Sequence, residues 1–318
     1  NYDSRKINET KTDLAELVRP VTKWAVELDL PDQIPSVMRR AFNEANSHPK
    51  GPVYVGFTAN ALEGIADMNI VPSGKILDEF NPDKNAIERA SMLINNSHSP
   101  VLMVGDRVSD DDATSEAIEL AETLGIPVYQ FRGAEVSFPT KHPQYMGIFS
   151  LRSKKSRQVL ENFDLIIAVG MDVFEELFYW GDVILSDSQK LIHIDPIPGR
   201  VGRSEPTDVG IISNCKTALR EINDTIKQAH NFLRSEGSFD RALEVINPRK
   251  HRTKLDVQDW HQTFEDSVKE NWDMNPMSPA RMMYELSNAV PENAMILDDS
   301  VSNREVVRHY FKAEKRGD

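Results

Sequence analysis

The chain has 318 residues, with 50 acidic against 37 basic side chains and a formal net charge of -13. That balance repels a nucleic-acid backbone and argues against nucleic-acid binding. At 40% hydrophobic and 27% charged it reads as globular, and no apolar run approaches the roughly 18 residues of a membrane helix. One cysteine, Cys215, rules out an intrachain disulfide and fits a reducing, cytoplasmic compartment; its apolar setting after Ile211-Ile212 predicts a packed thiol. The start, Asn1-Tyr2-Asp3-Ser4-Arg5, has neither an initiator methionine nor a signal-peptide core, so a piece of a longer chain is expected.

Three regions are predicted. In the first, 1–78, Ile34, Val37, Met38, Ala41 and Ala45 recur at helical spacing after Pro31-Asp32. His48-Pro49-Lys50-Gly51-Pro52 stops that helix, Val53 to Phe57 reads as a short strand, and the stretch through Pro72-Ser73-Gly74 as a linker. The second region, 79–247, alternates helices with strands at Pro100–Gly105, Ile126–Phe131, Asp164–Gly170, Lys190–Asp195 and Asp208–Ile212. Near-continuous Val/Ile/Leu runs between helices predict an α/β fold, a parallel open sheet with helices on both faces, Rossmann-like and flanked by partial α/β domains. The third, 248–318, opens after Asn247-Pro248 with a basic connector and a helix bearing Trp260, Phe264 and Trp272. Ser278-Pro279 starts a further helix. Met295-Ile296-Leu297 reads as a strand feeding Asp298 to Asn303 and a last helical run to Tyr310.

Phe138-Pro139-Thr140-Lys141-His142-Pro143-Gln144-Tyr145-Met146-Gly147 places one histidine between two prolines, in a predicted loop. Proline fixes φ and removes a donor, so the imidazole of His142 sits on a stiff segment, suited to acid–base work or merely exposed. At strand ends, Val104-Gly105-Asp106 lacks the further glycines of a dinucleotide fingerprint. Asp106, Asp110, Asp111 and Asp112 lack EF-hand spacing and favour a helix start. Asp195-Pro196 could meet a ribose or simply turn, and His193 reads as a satisfied core histidine. Glu175 and Glu176 favour a solvated face, as does the basic run Arg152, Lys154, Lys155, Arg157. Ser300, Val301, Ser302 and Asn303 join a predicted strand to a helix, where amides could meet an anion or Ser300 or Ser302 could cap.

Taken in order, these segments resemble the thiamine diphosphate-dependent decarboxylases and carboligases. The similarity is nearest to benzoylformate decarboxylase and more distant to acetolactate synthase. Leu17 to Trp24 with Gly51 to Val55 resembles the end of a pyrimidine-binding domain. Pro100 to Val104, Leu124 to Val128 and Phe138 to Gly147 resemble the central domain, and Leu286 to Tyr310 the start of a diphosphate-binding domain. The resemblance implies a 2-keto acid substrate, thiamine diphosphate and magnesium as cofactors, and a homodimer or homotetramer. It implies proton transfer by His142 and diphosphate contact by Ser300, Val301, Ser302 and Asn303. Some central domains of the family hold FAD, so a nucleotide or flavin site or a purely structural domain is the alternative. No activating glutamate segment is recognised, and Gly105-Asp106, Gly181-Asp182 and Gly317-Asp318 each lack the rest of the G-D-G…N metal motif. These 318 residues alone are therefore expected to be catalytically silent.

Overall fold

A computed structural model describes residues 13–71, 80–133, 135–151, 158–175, 184–237, 239–291 and 293–313. The basic run Arg152 to Arg157, the linker at Pro72-Ser73-Gly74, Glu176, and the pairs Gly181-Asp182 and Gly317-Asp318 lie outside them. The chain divides into two compact units, 1–78 and 79–318.

In the first unit, Asp13 caps helix α1 (Leu14–Val18), and strand β1 (Trp24–Leu28) follows. Helix α2 (Ile34–Asn46) crosses over to strand β2 (Val53–Phe57), which pairs with β1 in parallel, Trp24 opposite Val53 and Leu28 opposite Phe57. Thr58 caps a short α3 (Ala59–Glu63). Strand β1 escapes the sequence reading because Trp-Ala-Val-Glu-Leu is as good a helix former as a strand former, and only pairing with β2 decides.

The second unit holds six parallel strands: β3 (Pro100–Val104), β4 (Val128–Phe131), β5 (Tyr145–Phe149), β6 (Leu165–Val169), β7 (Lys190–Asp195) and β8 (Val209–Ile212). Their order is β5-β4-β3-β6-β7-β8. Alternate residues build two cores. Leu102, Val104, Leu165, Ile167, Ile192 and Ile194 face α4 (Lys84–Asn96), α6 (Thr114–Leu124) and α7 (Cys215–Ser235). Val101, Met103, Ile166, Ala168 and Leu191 face the opposite core with Leu160, Phe174 and Val257. A short α5 (Asp106–Asp110) follows β3, and α8 (Phe239–Glu270), α9 (Pro279–Ala289) and α10 (Arg304–Tyr310) complete the unit. The architecture is α/β with a parallel open sheet, as the apolar runs indicate.

Three local expectations are corrected. Pro248 is not a break: it lies inside α8, which runs through the expected boundary at 247/248. Met295 to Leu297 form no strand, Met295 being 83% and Leu297 88% exposed, because no described strand pairs with them. The predicted loop ends early: Tyr145 onward is edge strand β5, paired with β4 through an irregularity at Val128/Tyr129.

Candidate functional site

The strand order changes direction between β3 and β6, so the crevice beyond their carboxyl ends is the expected ligand position of an open parallel sheet. The two strand ends lie very close. The amide of Gly105 donates to Val169 O at 3.0 Å, and a Cβ at Gly105 would fall 2.4 Å from Gly170 O, so only glycine is accommodated. A cavity of about 320 Å³ opens there, lined by Asp106, Arg107, Arg132, Asp172 and Arg304 among others.

Arg132 and Arg304 reach backbone carbonyls, Glu175 O at 2.7 Å and Gly133 O at 3.3 Å, whereas Arg107 and Asp172 are paired. Arg107 donates from Nε to Asp195 Oδ2 at 2.7 Å and from Nη2 to Asp172 Oδ1 at 2.9 Å. Arg200 meets Asp172 at 2.9 Å, and Arg203 pairs with Glu175. Asp195 is fully buried, and its Oδ1 accepts from the Ile197 amide at 2.9 Å, which is the turn reading of Asp195-Pro196. Burial pushes the Asp195 carboxyl up to about 6 against the pull of Arg107. A nucleotide phosphate would have to displace carboxylates to reach Arg107, but not to reach Arg132 or Arg304. The sequence reading passed over Arg107. Its only local mark is a charged side chain three residues beyond a buried strand, and its partners lie 65 and 88 residues away.

His142 sits at the other end of the sheet, in the turn that precedes β5. Its amide donates to Pro139 O at 3.1 Å, and the Tyr145 amide donates to His142 O at 2.9 Å. Nδ1 accepts from the Gln144 amide at 3.3 Å, so the neutral ring carries its proton on Nε2, 3.4 Å from Glu122 Oε1. The side chain is only 11% exposed, with the Phe138 ring edge-on at 5.0 Å. The loop is clamped by Thr140: its amide and hydroxyl reach Ala313 O at 2.9 and 3.0 Å, and the Ala313 amide is 2.9 Å from Thr140 Oγ1. The turn, α8 and the end of α10 line an open cleft of about 460 Å³ that holds His142, His261 and His309. Phe138, Tyr145, Met146 and Phe149 pack into the sheet cores.

Ser300 to Asn303 precede α10. The Ser300 amide and hydroxyl both donate to Asp298 Oδ1, at 2.9 and 2.5 Å, so a carboxylate of the chain holds that amide. Val301 is 66% exposed, Ser302 is exposed, and the Asn303 side chain makes no capping bond to α10. The segment therefore fits a diphosphate at the open first turn of α10 but not at Ser300. Arg304, the next residue, lines the switch-point cavity, whereas His309 and Lys312 line the cleft of His142. Helix α10 thus separates the two sets of predicted residues, and no described cavity or hydrogen bond joins them. Among the described residues no group of three or more His, Cys, Asp or Glu side chains is arranged to hold a metal ion, and no helix is long and apolar enough to cross a membrane.

Residues 87–222 match the family described as the thiamine pyrophosphate enzyme central domain. The chain is 25% identical over 321 residues to the probable acetolactate synthase large subunit of Methanocaldococcus jannaschii, covering 95% of this chain and 50% of that protein. It is 25% identical over 300 residues to a sulfoacetaldehyde acetyltransferase of Rhodobacter capsulatus, covering 90% and 49%. The crystal structure of benzoylformate decarboxylase from Polynucleobacter necessarius superposes with a TM-score of 0.73 at 19% identity, covering 99% of this chain and 55% of that one, a likeness of fold. The chain spans about half the length of the curated relatives it matches. Sequence match and six-stranded parallel sheet agree: residues 87–222 are a central domain of the thiamine pyrophosphate enzyme family.

Proposed function

We propose that this chain is the central part of a thiamine diphosphate-dependent enzyme that decarboxylates a 2-keto acid, or joins the decarboxylated fragment to a second carbonyl compound, nearest in kind to benzoylformate decarboxylase. The observation that carries the reading is the central-domain match at 87–222, extended by an alignment over 95% of the chain to an acetolactate synthase relative. When bound, thiamine diphosphate supplies the electron sink for loss of carbon dioxide. The chain's own part is proton handling and orientation. His142 carries its proton at Nε2 on a turn clamped at Thr140, so the ring exchanges that proton without reorganising the loop. Ser302, Val301 and Asn303 contact the diphosphate at the first turn of α10, with Ser300 joining once Asp298 releases its amide. Magnesium completes the diphosphate site, and the working protein is a cytoplasmic homodimer or homotetramer.

These 318 residues by themselves are expected to be catalytically silent, because no activating glutamate segment is recognised and none of the Gly-Asp pairs carries the rest of the G-D-G…N motif. Calorimetric titration of the isolated chain with thiamine diphosphate and magnesium tests this: no tight binding is expected, and tight magnesium-dependent binding defeats it. In an enzyme containing the chain together with the sequence that its relatives carry around it, His142→Ala should lower kcat for 2-keto acid turnover by about 100-fold or more. Unchanged turnover would remove His142 from the chemistry.

A second reading, a nucleotide- or flavin-binding domain, is favoured by the cavity at the switch point. To reach Arg107, FAD or ADP would need to open the Arg107–Asp172–Arg200 pairing. A yellow protein, or a thermal shift with either ligand, would support it.

A further inference from the structure

The cleft beside His142 has a charge pattern opposite to that of the chain. The protein carries a net charge of -13, yet this cavity of about 460 Å³ is lined by Lys141, Lys254, Lys312, His142, His261 and His309, with Glu265 as its one carboxylate. The walls come from three separate segments, the 139–143 turn, α8 and the end of α10, and the Thr140–Ala313 bonds fasten the first to the last. The segments that carry the basic groups are therefore fixed to one another at Thr140 and Ala313.

His309 supplies an independent sign. Its side chain is 7% exposed and stacks on Phe264 with ring centroids 4.0 Å apart. Nε2 lies 2.7 Å from Glu265 Oε1, while Nδ1 is buried without a partner. A buried polar nitrogen with no partner is costly. Burial biases the ring toward its neutral form, with Nε2–H on Glu265 and Nδ1 bare; a proton taken up together with a bound anion would turn Nδ1 into a donor. The cations also crowd one another. Burial, then the charges of Lys312 and His309, lower the His261 imidazole; burial lowers His309 against Glu265, with Lys312 adding to it; burial and Lys141 lower Lys312. An anion seated among them would relieve that repulsion and favour protonation of the imidazoles.

We propose that this cleft is a binding site for a small, doubly charged oxyanion of the phosphate class, free phosphate or a phosphate monoester, held by Lys254, Lys312, His261 and His309. A tetrahedral dianion has acceptors on every side and matches donors arriving from several elements. The site lies at the amino end of β5, apart from the switch-point crevice and from Ser300 to Asn303. It rests on neither thiamine diphosphate nor keto acid turnover.

The test is a titration of the 318-residue chain at constant ionic strength with inorganic phosphate, with glycerol phosphate, and with chloride as control, following the imidazole resonances of His261 and His309. Saturable shifts with phosphate or the monoester, weakened about 10-fold in Lys312→Gln and in Lys254→Gln, are expected. The tighter of the two ligands identifies the source. A linear, non-saturating response, an equal response to chloride, or unchanged affinity in both variants overturns the proposal. Thermal melting of the variants close to that of the parent chain shows that a lost response is not lost folding. A variant that fails to fold is replaced by the corresponding arginine substitution, for which retained binding is expected and lost binding overturns the site.

Discussion

His193 lies in the middle of β7, 1% exposed, with Nε2 3.1 Å from Met171 O and Nδ1 accepting from the Gly202 amide at 3.3 Å. Both contacts suit the neutral ring, and burial, first among the causes, lowers its imidazole to about 4. A folded value below the unfolded one means that the stability contributed is complete above about pH 6.5 and is lost as pH falls, reaching about 3 kcal/mol by pH 4. Asp195 acts in the opposite sense: raised to about 6, it weakens the fold as pH climbs from about 4 to 6. The His193 resonance should stay flat from pH 8 to 5; a midpoint near 6.5 would contradict the packing. Gly147 gives a second test. It has φ +101°, and an added Cβ would lie 2.7 Å from Cη2 of Trp260. Gly147→Ala should cost about 1–3 kcal/mol in urea unfolding, with a smaller cost when Trp260 is already alanine. His193 was legible in the sequence because its immediate neighbours are apolar, and Cys215 because it follows the apolar Ile211-Ile212. Arg107 was not, since its carboxylate partners are brought to it by other strands.

Helix α8 shows why a local stop signal can be overruled. Pro248 lacks a donor and reads as a terminator, but the residues beyond it are committed elsewhere. Arg249 donates to Ser97 O at 2.9 Å, His98 O at 3.3 Å and Leu124 O at 3.4 Å, and the Thr253 hydroxyl donates to Gly125 O at 3.0 Å. Leu124 O, Gly125 O and Ser97 O are orphaned acceptors at the ends of α6 and α4, and His98 O lies just past α4. One turn of α8 thus closes two other helices, and continuing the helix through Pro248 is what brings it there. Arg249→Ala should destabilise the chain by about 1.5–3 kcal/mol, measured as a lowered urea midpoint with unchanged slope. Strand β5 and the absent strand at 295–297 make the converse case. Both have suitable side chains, but only the first finds a pairing edge, on β4.

At the scale of the molecule, burial is uneven between the two units. In the first, the fully buried apolar residues are mostly small (Ala15, Ala25, Ala41 and Ala61, with Leu28), and its described sheet has two strands. In the second, β3, β6 and β7 are enclosed on both faces by large aliphatic side chains. Two-stranded sheets are marginal, whereas strands buried on both faces open only with global unfolding. Amide exchange should therefore be slowest at 101–104, 165–169 and 191–194 and faster throughout 24–28 and 53–57. Equal protection in both sheets would show that the first unit is stabilised by contacts not visible in its own core.

Sequence alone determined the fold class, the position of each central strand of the sheet and the family resemblance, because continuous apolar runs and helix spacing are local signals that burial on both faces reinforces. Tertiary structure alone decided which charges meet. It closed Arg107 onto Asp172 and Asp195, set His142 at the opposite end of the sheet from the switch-point crevice, and gathered three lysines and three histidines into one cleft. Electrostatic partners have no periodicity along the chain; they are fixed only once the strand order is.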